Sequence, residues 1–349
     1  MDMNSNNLKI VLVTGGSGFV GIHCVLQLLK QGYIVKTTLR SMNRQDEVKN
    51  MLKVGGITSF ENLSFIETNL SKDDNWDEAV KDCTYVLHVA TPISLAVPKD
   101  ESEVILPAVE GTIRVLKAAK KANVKRVVLT SSFAAVGYSH NDPTTLITEE
   151  CWTDPNDKTL SAYLKSKTLA EKAAWDFITD EGNGLELSVI NPMGIFGPSL
   201  GPDISSGFEV LKQMLDGSMK FIPKVSFGIV DVRDVADLHL RAMSNPAANG
   251  QRFLAFSGDI ISLPEIAYLL KNKLGNQANK VSTRILPNWS VKIIALFNDK
   301  AKNILPQLNK VKNASNQKAK TILDWKPRTS EEALLASAES LFEFGGVKI

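Results

Sequence analysis

Tyr163 is followed four residues later by Lys167, in Tyr163-Leu164-Lys165-Ser166-Lys167, and it is the one tyrosine of five with that spacing. Residues 161–179 are rich in helix formers. On a helix, positions i and i+4 share a face, so the phenol and the ammonium become neighbours. A free phenol titrates at about pH 10, and lowering that by about 3 units takes roughly 4 kcal/mol. A lysine about 4 Å away at an effective dielectric of ~20 supplies roughly that amount. The pair is therefore a candidate general acid with its activating cation. Lys165 points to another face.

A serine pair, Ser131-Ser132, ends the apolar run RVVLTSS. Ligands of open α/β sheets bind at the carboxyl ends of such strands. A hydroxyl there can polarise a carbonyl and steady a developing alkoxide. Either Ser132 or Ser131 could take that part.

The third feature opens the chain: Val13-Thr14-Gly15-Gly16-Ser17-Gly18-Phe19-Val20-Gly21. It follows an apolar strand pattern and precedes a helical one, the context that a dinucleotide-binding turn requires. Gly15 and Gly18 would let the backbone turn and approach a pyrophosphate. Gly21 would let the helix pack on the sheet, and the helix N-terminus would face the phosphates. An NAD-type site usually adds an acid about 20 residues further on. Here no acid occurs between Gly15 and Gln45, and the second strand ends at Arg40, with Arg44 close behind. Arg40 would clamp a 2′-phosphate, with a gain of about 1.5–3 kcal/mol. NADPH is expected over NADH.

These groups need a scaffold, and the chain alternates strand and helix patterns. Strands are expected at 9–14, 33–39, 63–67, 85–90, 126–131 and 185–190. Several are almost wholly apolar, as in strands buried on both faces. Helices are expected at 21–31, 74–81, 103–122 and 208–215. The alternation predicts βαβ crossovers and a doubly wound parallel sheet flanked by helices. After Ile190 the Gly- and Pro-rich segment 191–202 leaves the sheet. Residues 230–243 start as a strand and continue as a helix, and 251–256 returns as a strand. From Ile260 the chain reads as mostly helical. The expected division is a nucleotide-binding domain at 1–190, rejoined by 228–257. Residues 191–227 and 258–349 form a smaller, mostly helical substrate lobe. The lysines between 300 and 320 read as a solvated face.

Composition narrows the classes. The 349 residues can bury a full core without disulfides or metals. Forty Lys and Arg against 38 Asp and Glu give a net charge of +2, unlike the basic domains that bind nucleic acid. Cys24, Cys83 and Cys151 are odd in number and scattered, which fits a reducing compartment. His23, His88, His140 and His239 show no metal-ligand spacing. The polar start MDMNSNN lacks the features of a signal peptide, and no apolar run reaches a membrane span of about 20 residues. A cytoplasmic protein with no metal, membrane or nucleic-acid partner is expected. The state, monomer or homodimer, is open.

Together the residues resemble the short-chain dehydrogenase/reductase superfamily in its extended class. TGGSGFVG matches the T-G-x-x-G-x-x-G turn, YLKSK the Y-x-x-x-K pair and TSS the active-site serine strand. LHVATP at 87–92, AVEGT at 108–112, SKTLAEKAAW at 166–175, NPMGIFGP at 191–198 and VDVRDVADLH at 230–239 are similar to one branch. That branch contains dihydroflavonol reductases, cinnamoyl-CoA reductases and methylglyoxal-type aldehyde reductases. The resemblance implies a Rossmann fold, NADPH as hydride donor, Ser132 polarising the carbonyl and Tyr163 giving it a proton. Lys167 would lower the tyrosine pKa and hold the nicotinamide ribose. Beside Thr14, Gly15, Ser17, Gly18, Phe19, Val20, Gly21, Arg40 and Arg44, the cofactor would meet Asn69, Leu70, Val89, Ala90, Thr91, Pro192 and Met193. Phe133, Phe196, Phe208 and Phe227 are candidates for an apolar substrate pocket.

Two positions depart from the pattern. The Asp that often precedes Leu after the third strand is Asn69. The Asn that contacts the polyphenol in plant flavonoid reductases is absent near Gly137, which counts against a flavonoid. The leading expectation is reversible, NADPH-dependent reduction of aldehydes and ketones. The alternatives are a dihydroflavonol or cinnamoyl-CoA-type reductase and, from a different class, a non-catalytic NADP(H) sensor. Such sensors typically lack the Tyr and Lys pair present here.

Overall fold

The structure, a computed structural model, describes residues 9–92, 98, 100–202, 206–296 and 305–347. The polar start at 1–7, Lys300 and Lys302 lie outside them. Contacts divide the chain into two compact units. The first comprises Met1–Ser131, Leu169–Ile190 and Ala236–Arg252; the second comprises Ser132–Thr168, Asn191–Val235 and Phe253–Ile349.

In the first unit β1 (Ile10–Thr14) pairs in parallel with β2 (Ile34–Leu39) and β4 (Tyr85–His88). β2 pairs with β3 (Leu63–Glu67), β4 with β5 (Arg126–Thr130) and β5 with β6 (Glu186–Pro192), again in parallel. With β9 (Gln251–Ala255) the sheet has seven strands in the order β3-β2-β1-β4-β5-β6-β9. The reversal beside β1 is the switch point at which doubly wound sheets bind ligands. It lies where the sequence puts the glycine turn.

The strands are apolar because both faces are covered. Leu12, Val86, Val127, Leu187 and Val189 pack with Val115, Leu116 and Ala119 of α4 (Ser102–Lys121) and with Ala174 and Phe177 of α5 (Ala162–Glu181). Each such side chain stabilises the fold by roughly 1.5–3 kcal/mol on burial. The buried Arg126 meets Glu186 at 2.5 Å and donates to the carbonyls of Ala242 and Asn245. Those carbonyls lie at the C-terminal end of α7 (Val232–Ser244), so a cation answers the negative end of that helix.

Of the expected elements, most stand within two or three residues of their places. α1 begins earlier, at Phe19–Lys30, because Gly18 is its N-cap. α2 (Gln45–Val54) was not anticipated. Its short amphipathic run follows a 3₁₀ turn at Met42–Arg44 rather than a turn signal in the sequence.

The second unit holds a three-stranded sheet in the order β10-β8-β7. β7 (Gly194–Phe196) is parallel to β8 (Ser226–Asp231), and β10 (Ile260–Ser262) is antiparallel to it. Of the segment 228–257, expected to rejoin the nucleotide-binding domain, β9 stands in the large sheet and 236–252 in the first unit, whereas β8 is paired in the small sheet. Residues 132–168 also group with this unit, because the chain turns at Ser132 instead of running on. The region after Ile260 opens on a strand and then becomes helical. Ser262 and Glu265 form a capping box at the start of α8 (Leu263–Leu274).

Candidate functional site

The glycine turn of the first unit is shaped by backbone approaches that exclude side chains. Gly15 has φ +73°, and a Cβ on it would stand 3.0 Å from the Cβ of Ala90. A Cβ on Gly21 would stand 2.2 Å from the carbonyl oxygen of Gly15. Gly18 N donates to that same oxygen at 3.0 Å, and Gly18 caps α1 without a side-chain bond. Gly15 N donates to Thr38 Oγ1 at 3.1 Å, which ties the turn to β2.

Thr14 Oγ1 accepts from the backbone N–H groups of Val89 and Ala90, each at 3.0 Å. With both lone pairs used, its own hydrogen goes to His88 Nδ1 at 2.9 Å. His88 is therefore the neutral tautomer protonated on Nε2. This network fixes Thr14, Val89 and Ala90 against one another.

Arg40 is exposed and makes no hydrogen bond or ion pair among the described residues. It lines a cavity of about 310 Å³ with Asn69, Leu70, Ser71, Pro92 and Glu103. Asn69 Oδ1 accepts from Ser71 N at 3.0 Å and so shapes its own turn. Arg44 is engaged differently. Its guanidinium grips Glu47 through two bonds of 2.7 and 2.6 Å and holds that carboxyl below the usual range. Ser17, Phe19, Val20 and Thr91 lie in or beside the turn and the β4 loop, as expected. The bare cradle, the uncapped helix end and the unpaired Arg40 all fit a dinucleotide that carries an extra phosphate.

The second unit holds Ser132, Tyr163 and Lys167. Ser132 caps the short turn Phe133–Ala135 and accepts from Ala134 N at 3.1 Å. Asn191 Nδ2 donates to the Ser132 carbonyl at 3.1 Å. Thr168 Oγ1 lies 3.3 Å from the Ala134 carbonyl and joins the serine turn to the start of α5. Along that helix the Lys167 ammonium stands over the Tyr163 ring, 6.0 Å from its centroid. Lys167 is buried, and burial lowers its pKa to about 8. The protein around the Tyr163 phenol raises its pKa. That direction is opposite to the shift expected of a lysine at about 4 Å, and the ammonium faces the ring.

Ser131 is held elsewhere, within the first unit. It is buried, and its Oγ donates to Glu171 Oε2 at 2.5 Å.

A cavity of about 210 Å³ in the second unit is lined by Ser132, Phe133, Tyr138, Pro192, Met193 and Phe227. Gly228, Ile260, Gln307, Lys310 and Lys312 also stand on its wall. Phe133 and Phe227 thus stand where a pocket was expected. Phe196 and Phe208 do not: they are 4% and 1% exposed and stack on each other at 6.1 Å, as core. Tyr138 was missed because it has no lysine partner in sequence. Lys310 and Lys312 were read as solvated, yet both are half-buried on the cavity.

A doubly wound sheet opening on this turn, in a chain that also carries the Ser, Tyr and Lys set, defines a short-chain dehydrogenase/reductase of the extended class. The chain belongs to the NAD dependent epimerase/dehydratase family, which it matches over residues 11–255. It is 38% identical over 258 residues to a cinnamoyl-CoA reductase of Medicago truncatula, covering 72% of this chain and 78% of that one. It is 33% identical over 316 residues to a putative NADPH-dependent methylglyoxal reductase of Candida albicans, covering 84% and 92%. Among solved structures it is similar to yeast methylglyoxal/isovaleraldehyde reductase complexed with NADPH. The TM-score is 0.80 at 26% identity, over 97% of this chain and 99% of that one. The resemblance read from the motifs is borne out.

Proposed function

We propose that the chain reduces aldehydes and ketones to alcohols with NADPH, reversibly. The observation that carries this is the free hydroxyl of Ser132 on a mostly apolar cavity, in the unit that also holds Tyr163 and Lys167. Ser132 Oγ accepts from the backbone, so its hydrogen remains to donate to a substrate carbonyl oxygen. Tyr163 gives the oxygen its proton, and the charge on Lys167 steadies the phenolate that remains. NADPH, when bound, supplies the hydride to the carbonyl carbon, and the products are an alcohol and NADP+. Gly15, Gly18 and Gly21 form the pyrophosphate cradle, and Arg40 holds the 2′-phosphate.

The relative from Medicago truncatula favours a second reading, reduction of an acyl-CoA thioester to an aldehyde. A thioester assay separates the two. A pure NADP(H) sensor would not need Tyr163, Lys167 and a serine on a cavity. No helix among the described residues is long and apolar enough to cross a membrane. We place the protein in the cytoplasm, because its three cysteines are odd in number and scattered along the chain, which fits a reducing compartment. Recovery of a tagged chain in a secreted or membrane fraction would overturn that placement.

The test is the initial rate of NADPH oxidation, with NADH in parallel, on methylglyoxal, small aldehydes, aryl ketones and one dihydroflavonol. Turnover that is lost in Tyr163→Phe supports the reductase. NADPH binding without turnover of any carbonyl compound rules it out.

A further inference from the structure

The cavity that carries Ser132 is lined by two kinds of chemistry. Phe133, Met193, Phe227 and Ile260 make an apolar wall, whereas Lys310 and Lys312 stand on the same cavity with Gln307. Among the described residues no Asp or Glu lines it. The lysines are positioned by neutral acceptors. Lys312 Nζ donates to the His140 carbonyl at 2.5 Å and to the Tyr138 carbonyl at 3.4 Å. Lys310 Nζ donates to Asn141 Oδ1 at 2.7 Å. Carbonyl and amide oxygens orient an ammonium without cancelling its charge. Each ammonium has three N–H donors, so both lysines keep donors to spare.

Two like charges held half-buried on one cavity are unfavourable. Burial first, then the charge of Lys310, lowers the pKa of Lys312. Asp157 is the carboxylate whose field reaches both lysines. It accepts from Thr159 N at 2.8 Å and Thr159 Oγ1 at 2.7 Å, and it is not on the cavity wall. Among the described residues neither lysine forms an ion pair. A counter-charge from outside the chain would both offset the repulsion and use the spare donors.

We infer that the carbonyl substrate carries an anionic group, a carboxylate, which Lys310 and Lys312 bind while Ser132 meets the carbonyl. This rests on the carbonyl-reductase reading and narrows its substrate class. A phosphate would offer the same chemistry, and the experiment separates the two. The apolar wall fits the carbon skeleton between the carbonyl and the anion.

The experiment compares kcat/KM on matched pairs with NADPH. The carboxylate arm sets 3- and 4-formylbenzoate and 4-oxobutanoate against their methyl esters. The phosphate arm sets glyceraldehyde 3-phosphate against glyceraldehyde. The expected result is a preference of about 10- to 100-fold for at least one acid over its ester, carried mostly by KM. Added salt shrinks that preference.

Lys310→Met and Lys312→Met each reduce the ratio of acid to ester, and Lys310→Glu inverts it. The ratio is taken within each variant, so partial misfolding cancels. Lys312→Met loosens the 138–140 segment, whereas Lys310→Glu touches only the side chain of Asn141 and keeps the test open. A preference confined to the phosphorylated aldehyde keeps the lysine site but overturns the carboxylate.

Esters reduced as well as every acid, and glyceraldehyde as well as its phosphate, overturn the inference and leave the reductase intact. So does a preference for acids that both lysine variants retain. If no acid, ester or neutral aldehyde is reduced while NADPH still binds, the underlying reductase reading fails, and the inference falls with it.

Discussion

Ser131 gives its hydroxyl hydrogen to Glu171 Oε2 at 2.5 Å, and Glu171 Oε1 accepts from Arg252 Nε at 2.6 Å. Glu171 and Arg252 are almost wholly buried, so the carboxylate relies on these bonds. Ser132 shares none of this and faces a cavity instead. Ser131→Ala should cost about 1–3 kcal/mol of stability and leave kcat nearly unchanged. Ser132→Ala should lower kcat by roughly 10²–10³. Thermal melts and steady-state rates on both variants decide it. Loss of kcat in Ser131→Ala, with Ser132→Ala active, would reverse the assignment.

Arg40 and Arg44 sit four residues apart and differ in their commitments. Arg44 is held by Glu47, whereas Arg40 has no hydrogen-bond or ion-pair partner among the described residues and lines a cavity. Arg40→Ser should raise KM for NADPH by about 10- to 100-fold and move KM for NADH little. Arg44→Ser should change both by much less. An unchanged cofactor preference in Arg40→Ser would remove the basis for NADPH specificity.

Gly21 meets the backbone, and backbone does not move aside. Its missing Cβ would stand 2.2 Å from the Gly15 oxygen and 2.9 Å from the Gly15 carbon. The nearest atom to a Cβ on Gly18 is that same oxygen, at 3.3 Å. Gly21→Ala should therefore weaken NADPH binding more than tenfold, or prevent folding, while Gly18→Ala stays folded. Fluorescence titration and far-UV circular dichroism give both answers. Tight NADPH binding by Gly21→Ala would mean that the turn does not form the cradle.

The large sheet and its glycine turn were legible because local patterns dictate them. Apolar runs mark strands buried on both faces, and the glycine spacing follows from the turn geometry. The second unit was less legible. Lys310 and Lys312 lie far along the chain from Ser132, and no periodicity announces that they share a cavity with it. Phe196 and Phe208 show the converse: a phenylalanine reads the same in sequence whether it lines a pocket or fills a core. The resemblance favoured Ser132 over Ser131, but the physical reason, the bond from Ser131 to Glu171 forty residues away, was not legible in the sequence.

Lys167 gives the pH dependence. Its pKa falls from about 10.5 in the unfolded chain to about 8 in the fold. Between these values the unfolded state binds more protons, so this group makes stability rise as pH rises from 8 to 10.5. Below pH 8 the charged lysine is buried at a cost of roughly 3–4 kcal/mol. Lys167→Met should therefore be more stable than the parent at pH 7, by up to that amount, with the gap closing at pH 10. It should also lose most of its carbonyl reduction. Denaturant melts at both pH values check the sign. A variant less stable at pH 7 would show that the charge is satisfied in the fold.

Gly228 controls how much of the second unit's cavity is open. A Cβ there would lie 2.1 Å from Met193 Sδ and 3.3 Å from Ile260 Cδ1. The first of these is the flexible end of a side chain, so the sulfur swings away and the fold survives, at a cost of about 1–3 kcal/mol. Met193 lines the cavity, so its displacement changes the shape that a substrate meets. Gly228→Ala should depress kcat/KM for aryl ketones about tenfold more than for methylglyoxal. Met193→Ala removes the displaced group, so the double variant should recover aryl activity. That non-additivity is the signature of two residues sharing one space. Equal losses on large and small carbonyls, or additive effects in the double variant, would show that the substrate lies elsewhere.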